Sequence, residues 1–148
     1  MQRRDRARTA LERDLERHRT TPTTPPASGW VRAIRDALGM SARELGDRVG
    51  LSQQRVVQIE AAERDRSLTL ATLERVAAGL ECRVEYVLVP IKPLDALVAD
   101  RARAKAQVEV AGVQHTMALE DQRVEGTAAD AVVDAAALGW IDRRGLWS

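Results

Sequence analysis

Gln53, Gln54, Arg55 and Gln58 gather three side-chain amides and one guanidinium into six consecutive residues. A glutamine amide presents a donor beside an acceptor and can bind adenine through N6 and N7, while a guanidinium fork grips guanine or a phosphate. Groups of this kind recognise a surface; they do not break bonds. Reactive constellations are scarce elsewhere. The single Cys82 makes neither an internal disulfide nor a zinc cluster, and no glycine-rich phosphate loop is present. His18 and His115 stand apart, and His115 reads as a structural hydrogen-bonding residue rather than a base. No nucleophile is legible beside a base, so no catalytic residue, metal ligand or cofactor is expected.

The four recognition residues need a helix that turns them outward, and residues 41–60 (SARELGDRVGLSQQRVVQIE) encode one. Ser41 is an N-cap with Glu44 three residues on, the reciprocal capping box, and Met40 and Leu45 flank it as a hydrophobic staple. Leu45 and Val49 face a core, and Gly50 can stop the helix in the left-handed conformation without Cβ strain. Leu51, Ser52 and Val56 repeat the staple and cap, so a second helix starts almost at once. Its inward face is Val56 and Ile59, which leaves Gln53, Gln54, Arg55 and Gln58 outside, at a helix start that favours phosphate. Two further helices flank the pair. Val31, Ile34 and Leu38 share a face between Ser28 or Gly29 and Gly39; Leu68, Thr69 and Leu73 make a third staple and cap, continued inward by Val76, Ala77 and Leu80.

This stretch resembles the helix-turn-helix of phage repressors, Cro proteins and the wider Xre family, over about residues 31–80. The resemblance implies a lambda-repressor-like domain. Ser52, Gln53, Gln54 and Gln58 match base-reading positions in some of those repressors, and Arg55, Ser41 and Arg43 complete the candidate DNA-contacting set. Arg35 and Glu60 match a buried ion pair that ties the first helix to the recognition helix. Ala42 departs from the glutamine that often opens the second helix, which puts one phosphate contact in doubt. Ala61-Ala62 replaces the usual glycine turn and implies a recognition helix extended toward Arg64. The alternative is a capped helix pair whose glutamines meet only water.

The rest of the chain carries a polarity that its net charge of +1 conceals. Residues 1–19 hold Arg3, Arg4, Arg6, Arg8, Arg13, Arg17 and Arg19 against four acids, whereas acids outnumber bases after Leu80. The arginine-rich head is either a DNA-facing surface or a solvated helix with neighbouring ion pairs. Its stripe of Ala7, Leu11 and Leu15 is too thin to hold it alone, so it docks or stays mobile. Pro22, Pro25 and Pro26 then form a stiff connector. In residues 82–90, Cys82, Val84, Tyr86 and Leu88 alternate with Arg83, Glu85, Val87 and Val89, predicting one strand. A lone strand leaves its amides unpaired, so it needs a second copy of the chain or the segment from Trp140 to Trp147. Helical spacing resumes at Pro93, with an expected break at Gly112 and a last helix over 127–138. Trp140 and Trp147 either fold back onto the core or form a partner surface.

A second resemblance covers nearly the whole chain. Residues 29–43 (GWVRAIRDALGMSAR), 82–90 (CRVEYVLVP), 115–122 (HTMALEDQ) and Leu146-Trp147 resemble the family called mobile mystery protein A, which is found on mobile elements beside a Fic-domain protein. The resemblance implies a Fic-domain partner, an enzyme fold that transfers adenylyl groups to protein hydroxyls. Fic enzymes are commonly inhibited by a helix with the pattern Ser/Thr-x-x-x-Glu-Gly/Asn, and Thr116 and Glu120 have its spacing, although Asp121 departs from it. The other reading puts Met117 in the core and Glu120 in water.

The expected fold is mainly α: an arginine-rich arm helix and linker over 1–28, a helix-turn-helix domain over 29–81, and a strand plus helical extension over 82–148. The expected function is a sequence-specific DNA-binding repressor, dimeric on a palindromic double-stranded operator, serving as antitoxin and autoregulator of a Fic-type pair. The alternative is an interaction module that inhibits a Fic adenylyltransferase directly. One cysteine, no bilayer-length apolar run and no secretory signal place the chain in the cytoplasm by expectation.

Overall fold

The computed structural model describes residues 2–119 and 126–148, and the described residues form helices joined by turns. The chain divides into two compact units, one of residues 22–87 and one of residues 1–21 with 88–148.

The unit of residues 22–87 contains α2 (Trp30–Ala37), α3 (Ala42–Val49), α4 (Gln53–Arg64) and α5 (Leu70–Gly79). Its core is Val31, Leu45, Val56, Ile59, Val76 and Leu80, with Ile34, Met40, Val49, Leu51, Leu68 and Leu73 packed around them. These are residues at helical spacing on four elements, which is why the apolar stripes can meet in one cluster. Leu38 is an exception. It caps the end of α2 and is largely exposed, because the helix stops one residue before it.

The other unit contains α1 (Gln2–Thr20), α6 (Leu94–Leu119) and α7 (Thr127–Trp140). Small residues bring α6 and α7 together: Ala106, Val110 and Val133 are buried, and Ala136, Ala137 and Trp140 close over them. The Trp140 indole donates to Glu109 at 2.8 Å and takes the Arg143 guanidinium 4.5 Å from its ring centroid, so this tryptophan folds onto α6. Trp147 remains mostly exposed. On α1, Leu15 is buried while Leu11 is exposed. Polar contacts do the rest: Glu12 accepts the Leu94 backbone N–H at 3.0 Å, Arg8 binds Asp95 at 2.7 Å and Arg19 donates to the Pro90 carbonyl at 3.2 Å. The arginine-rich helix is thus docked at the start of α6, whereas the sequence divides the chain at residues 28 and 81.

Two expectations are corrected. No β-strand occurs among the described residues, and 82–89 runs without regular structure. A strand needs a second backbone edge, and the segment expected to offer one is taken up by the end of α7 and the turns after Trp140. Gly112 does not break the helix either. α6 continues through it to Leu119, since a glycine inside a helix costs only about 1 kcal/mol against alanine and the rest of this long helix is rich in alanine.

Candidate nucleic-acid interface

Helix α3 starts where its cap residues dictate. The Ser41 hydroxyl accepts the Glu44 N–H at 3.1 Å and the Glu44 carboxylate accepts the Ser41 N–H at 2.7 Å, closing the capping box. Those bonds hold the Glu44 pKa below its ordinary value. Gly50 ends the helix with φ 69°, in the left-handed region, and the chain re-enters a helix after Leu51. The turn is tight because Gly46 lets it be: the Leu51 N–H donates to the Gly46 carbonyl at 2.8 Å, and a Cβ on Gly46 would lie 2.4 Å from the Leu51 carbonyl oxygen.

Helix α4 then opens at Ser52, whose hydroxyl accepts the Arg55 N–H at 3.1 Å. Val56 and Ile59 are fully buried and set the helix phase. With that phase, Gln53, Gln54, Arg55 and Gln58 are exposed, and the Arg55 guanidinium lies 3.5 Å from the Gln58 amide oxygen. Ser41 and Arg43, also exposed, stand at the start of α3, which packs against α4. The structure therefore presents seven hydrogen-bonding residues on two successive helix starts. The N–H groups of a first helical turn point away from the helix with partial positive charge, which suits a phosphate backbone.

Behind this face lies a buried ion pair. Arg35 of α2 donates from Nε to Glu60 Oε1 at 2.6 Å and from Nη2 to Glu60 Oε2 at 3.3 Å, while its Nη1 donates to the Met40 carbonyl at 2.8 Å. The side chains are 11% and 4% exposed, so both charges depend on each other. Hydrogen bonding to the Glu60 carboxylate pushes the Arg35 pKa up. The pair fixes α4 against α2, and with it the direction in which the glutamines point.

Two residues of α4 with a part in this unit escape a reading of the sequence. Glu63 accepts the backbone N–H groups of Trp30 and Val31 at 2.7 and 3.0 Å, capping α2 from a distant helix. The signal was negative: Gly29 has no side chain to cap its own helix. Val57 is 51% exposed, one turn on from Gln53 and Gln54. Apolar type suggests a core residue, and only the phase set by Val56 and Ile59 reveals that it faces out. An outward valine can meet a thymine methyl. Ala61 and Ala62 continue the helix and α4 ends at Arg64.

Of the remaining candidate pair, Thr116 lies on α6. Thr116 is exposed and its hydroxyl donates to the Gly112 carbonyl at 3.2 Å. Glu120 lies outside the described residues.

Residues 31–87 match the helix-turn-helix family. That helix-turn-helix domain points to a DNA-binding transcription regulator. No curated protein and no solved structure matches the chain. No helix among the described residues is long and apolar enough to cross a membrane.

Proposed function

We propose that this protein is a sequence-specific transcriptional repressor that binds a palindromic operator as a homodimer. The observation that carries the reading is the exposed row Gln53, Gln54, Arg55 and Gln58 at the start of a helix whose back is pinned by Arg35 and Glu60. Gln53, Gln54 and Gln58 read base edges in the major groove with Ser52 beside them, Arg55 takes a guanine or phosphate, and Ser41 and Arg43 position the domain on the backbone. Residues 29–81 do the reading; residues 82–148 serve dimerisation or partner binding. Leu88 and Ile91 are strongly exposed at the start of the helical unit's second segment, which supports a second copy covering them. The resemblance to mobile mystery protein A supports a Fic-domain protein as the regulated partner, with this chain as its antitoxin and autorepressor.

The test is a site selected from random-sequence DNA by the full-length protein. Gln54→Ala is expected to weaken binding to that site by about 1–3 kcal/mol per half-site and leave binding to unrelated DNA nearly unchanged. Equal losses on both would remove Gln54 from base readout. Co-expression with the neighbouring Fic-domain protein, followed by co-purification, tests the partner.

A further inference from the structure

The unit formed by α1, α6 and α7 holds a cavity of about 530 Å3 among whose lining residues are Arg4, Arg8, Arg143, Arg144, Val98 and Trp147. Arg4 and Arg8 lie one helical turn apart and share a face of α1. Arg143 and Arg144 come from the turn after α7. That turn is a built wall: Arg101 of α6 donates to the carbonyls of Leu146 and Ser148 at 2.9 and 3.1 Å, and the Leu146 side chain is buried.

The charge around the cavity is unbalanced. Arg8 is answered by Asp5 and Asp95. Among the described residues Arg4 reaches only the Asp142 backbone carbonyl, at 3.5 Å, and Arg143 lies over the Trp140 ring. Arg144 has no hydrogen-bond or ion-pair partner among the described residues, and none of Arg4, Arg143 and Arg144 meets a carboxylate there. No acidic side chain lines the cavity. Elsewhere the same unit pairs its arginines closely, Arg103 with Asp130 and Asp134 and Arg19 with Glu12 and Glu16. Like charges gathered at one concavity repel and raise the local potential, a cost that a bound anion removes. Guanidinium forks match the oxygens of a phosphate bidentately. Trp147, 65% exposed at the rim, and Val98 add an apolar wall for a flat ring.

We propose that this cavity binds a phosphate-bearing ligand, with Arg4, Arg143 and Arg144 as phosphate donors and Trp147 as a stacking surface. The phosphate comes either from a free nucleotide or from a nucleic-acid backbone. The site belongs to the helical unit and is independent of base readout by α4.

Full-length protein titrated with ATP, followed by tryptophan fluorescence, tests the first source. Saturable quenching is expected, weakened roughly tenfold or more in Arg144→Gln, because a charge-assisted hydrogen bond is lost, and largely abolished as a signal in Trp147→Phe. Circular dichroism checks that both variants keep their helices. The second source is tested by the salt dependence of binding to a random-sequence duplex. If backbone phosphates occupy the cavity, the Arg4→Gln, Arg144→Gln double variant lowers the slope of log affinity against log salt by about 2, while ATP fails to saturate. The proposal is overturned if ATP gives no saturable change and the slope is unaltered, or if ATP binds equally well to the Arg144→Gln variant.

Discussion

Residues 22–87 bury an ion pair and carry three side-chain N-caps, whereas the helical unit leaves its charge pairs partly or largely exposed and packs α6 on α7 mainly through small residues. In the first unit Glu60 is nearly inaccessible and Ser41, Ser52 and Thr69 each accept a backbone N–H at a helix start. In the second, Ala102 and Ala106 are fully buried on α6, and Arg103 pairs with Asp134 at about half exposure. A surface that reads bases must hold its side chains in one orientation, and buried polar partners specify an orientation more narrowly than small apolar side chains do. The contrast places a buried polar anchor behind α4 and small-residue packing between α6 and α7.

The largest break in that comparison should come from the buried pair. Glu60→Gln keeps one amide oxygen for Arg35 but removes its buried countercharge, leaving the exposed Asp36 carboxylate, 3.0 Å away, and the Met40 carbonyl, so unfolding in urea should show a loss of about 3 kcal/mol, toward the low end for a severed buried pair. The matched surface change, Arg103→Met, should cost less than about 1 kcal/mol. Similar losses for the two would mean that the units do not differ in how they use charge.

Glycine gives the next contrast. Gly46→Ala places a Cβ against the Leu51 carbonyl, which is backbone and cannot swing away, so a loss of about 1–3 kcal/mol is expected in the same assay. Gly112→Ala meets nothing within 4 Å on α6 and should stabilise by about 0.5–1 kcal/mol. Opposite signs sharpen the comparison; equal effects would break it.

The smallest effect concerns acid. Glu44 caps its own helix, and Glu12 caps α6 from α1 with Arg19 beside it; both pKa values are lowered, first by the backbone N–H each carboxylate accepts. A carboxyl whose folded pKa lies below its unfolded one adds stability above the unfolded value and loses it as pH falls through the folded value. Melts taken below the ordinary glutamate range should therefore decline with acid, and Glu44→Gln or Glu12→Gln should flatten that decline. An unchanged slope in both variants would remove these caps from the acid response.

The helix-turn-helix unit was largely legible in the chain because its information is local. A serine followed three residues later by glutamate, a glycine after Val49 and apolar pairs at helical spacing act within a turn or two, and they placed α3, α4 and α5 close to where they lie. The outward row on α4 followed from Val56 and Ile59 alone. What escaped was whatever depends on residues far apart. Glu63 caps α2 across 32 residues to Val31, Glu12 caps α6 across 82 to Leu94, and the cavity of Arg4 and Arg144 joins the two ends of the described chain. The alternation over 82–90 was real, yet periodicity records only which faces could be buried, and a strand exists only where a second edge meets it. Local sequence determined the helices and the caps of α3, α4 and α5; the tertiary structure decided how α2 and α6 are capped, which charges were buried, which valine faced out and which arginines converged, because those outcomes depend on neighbours that no local pattern encodes.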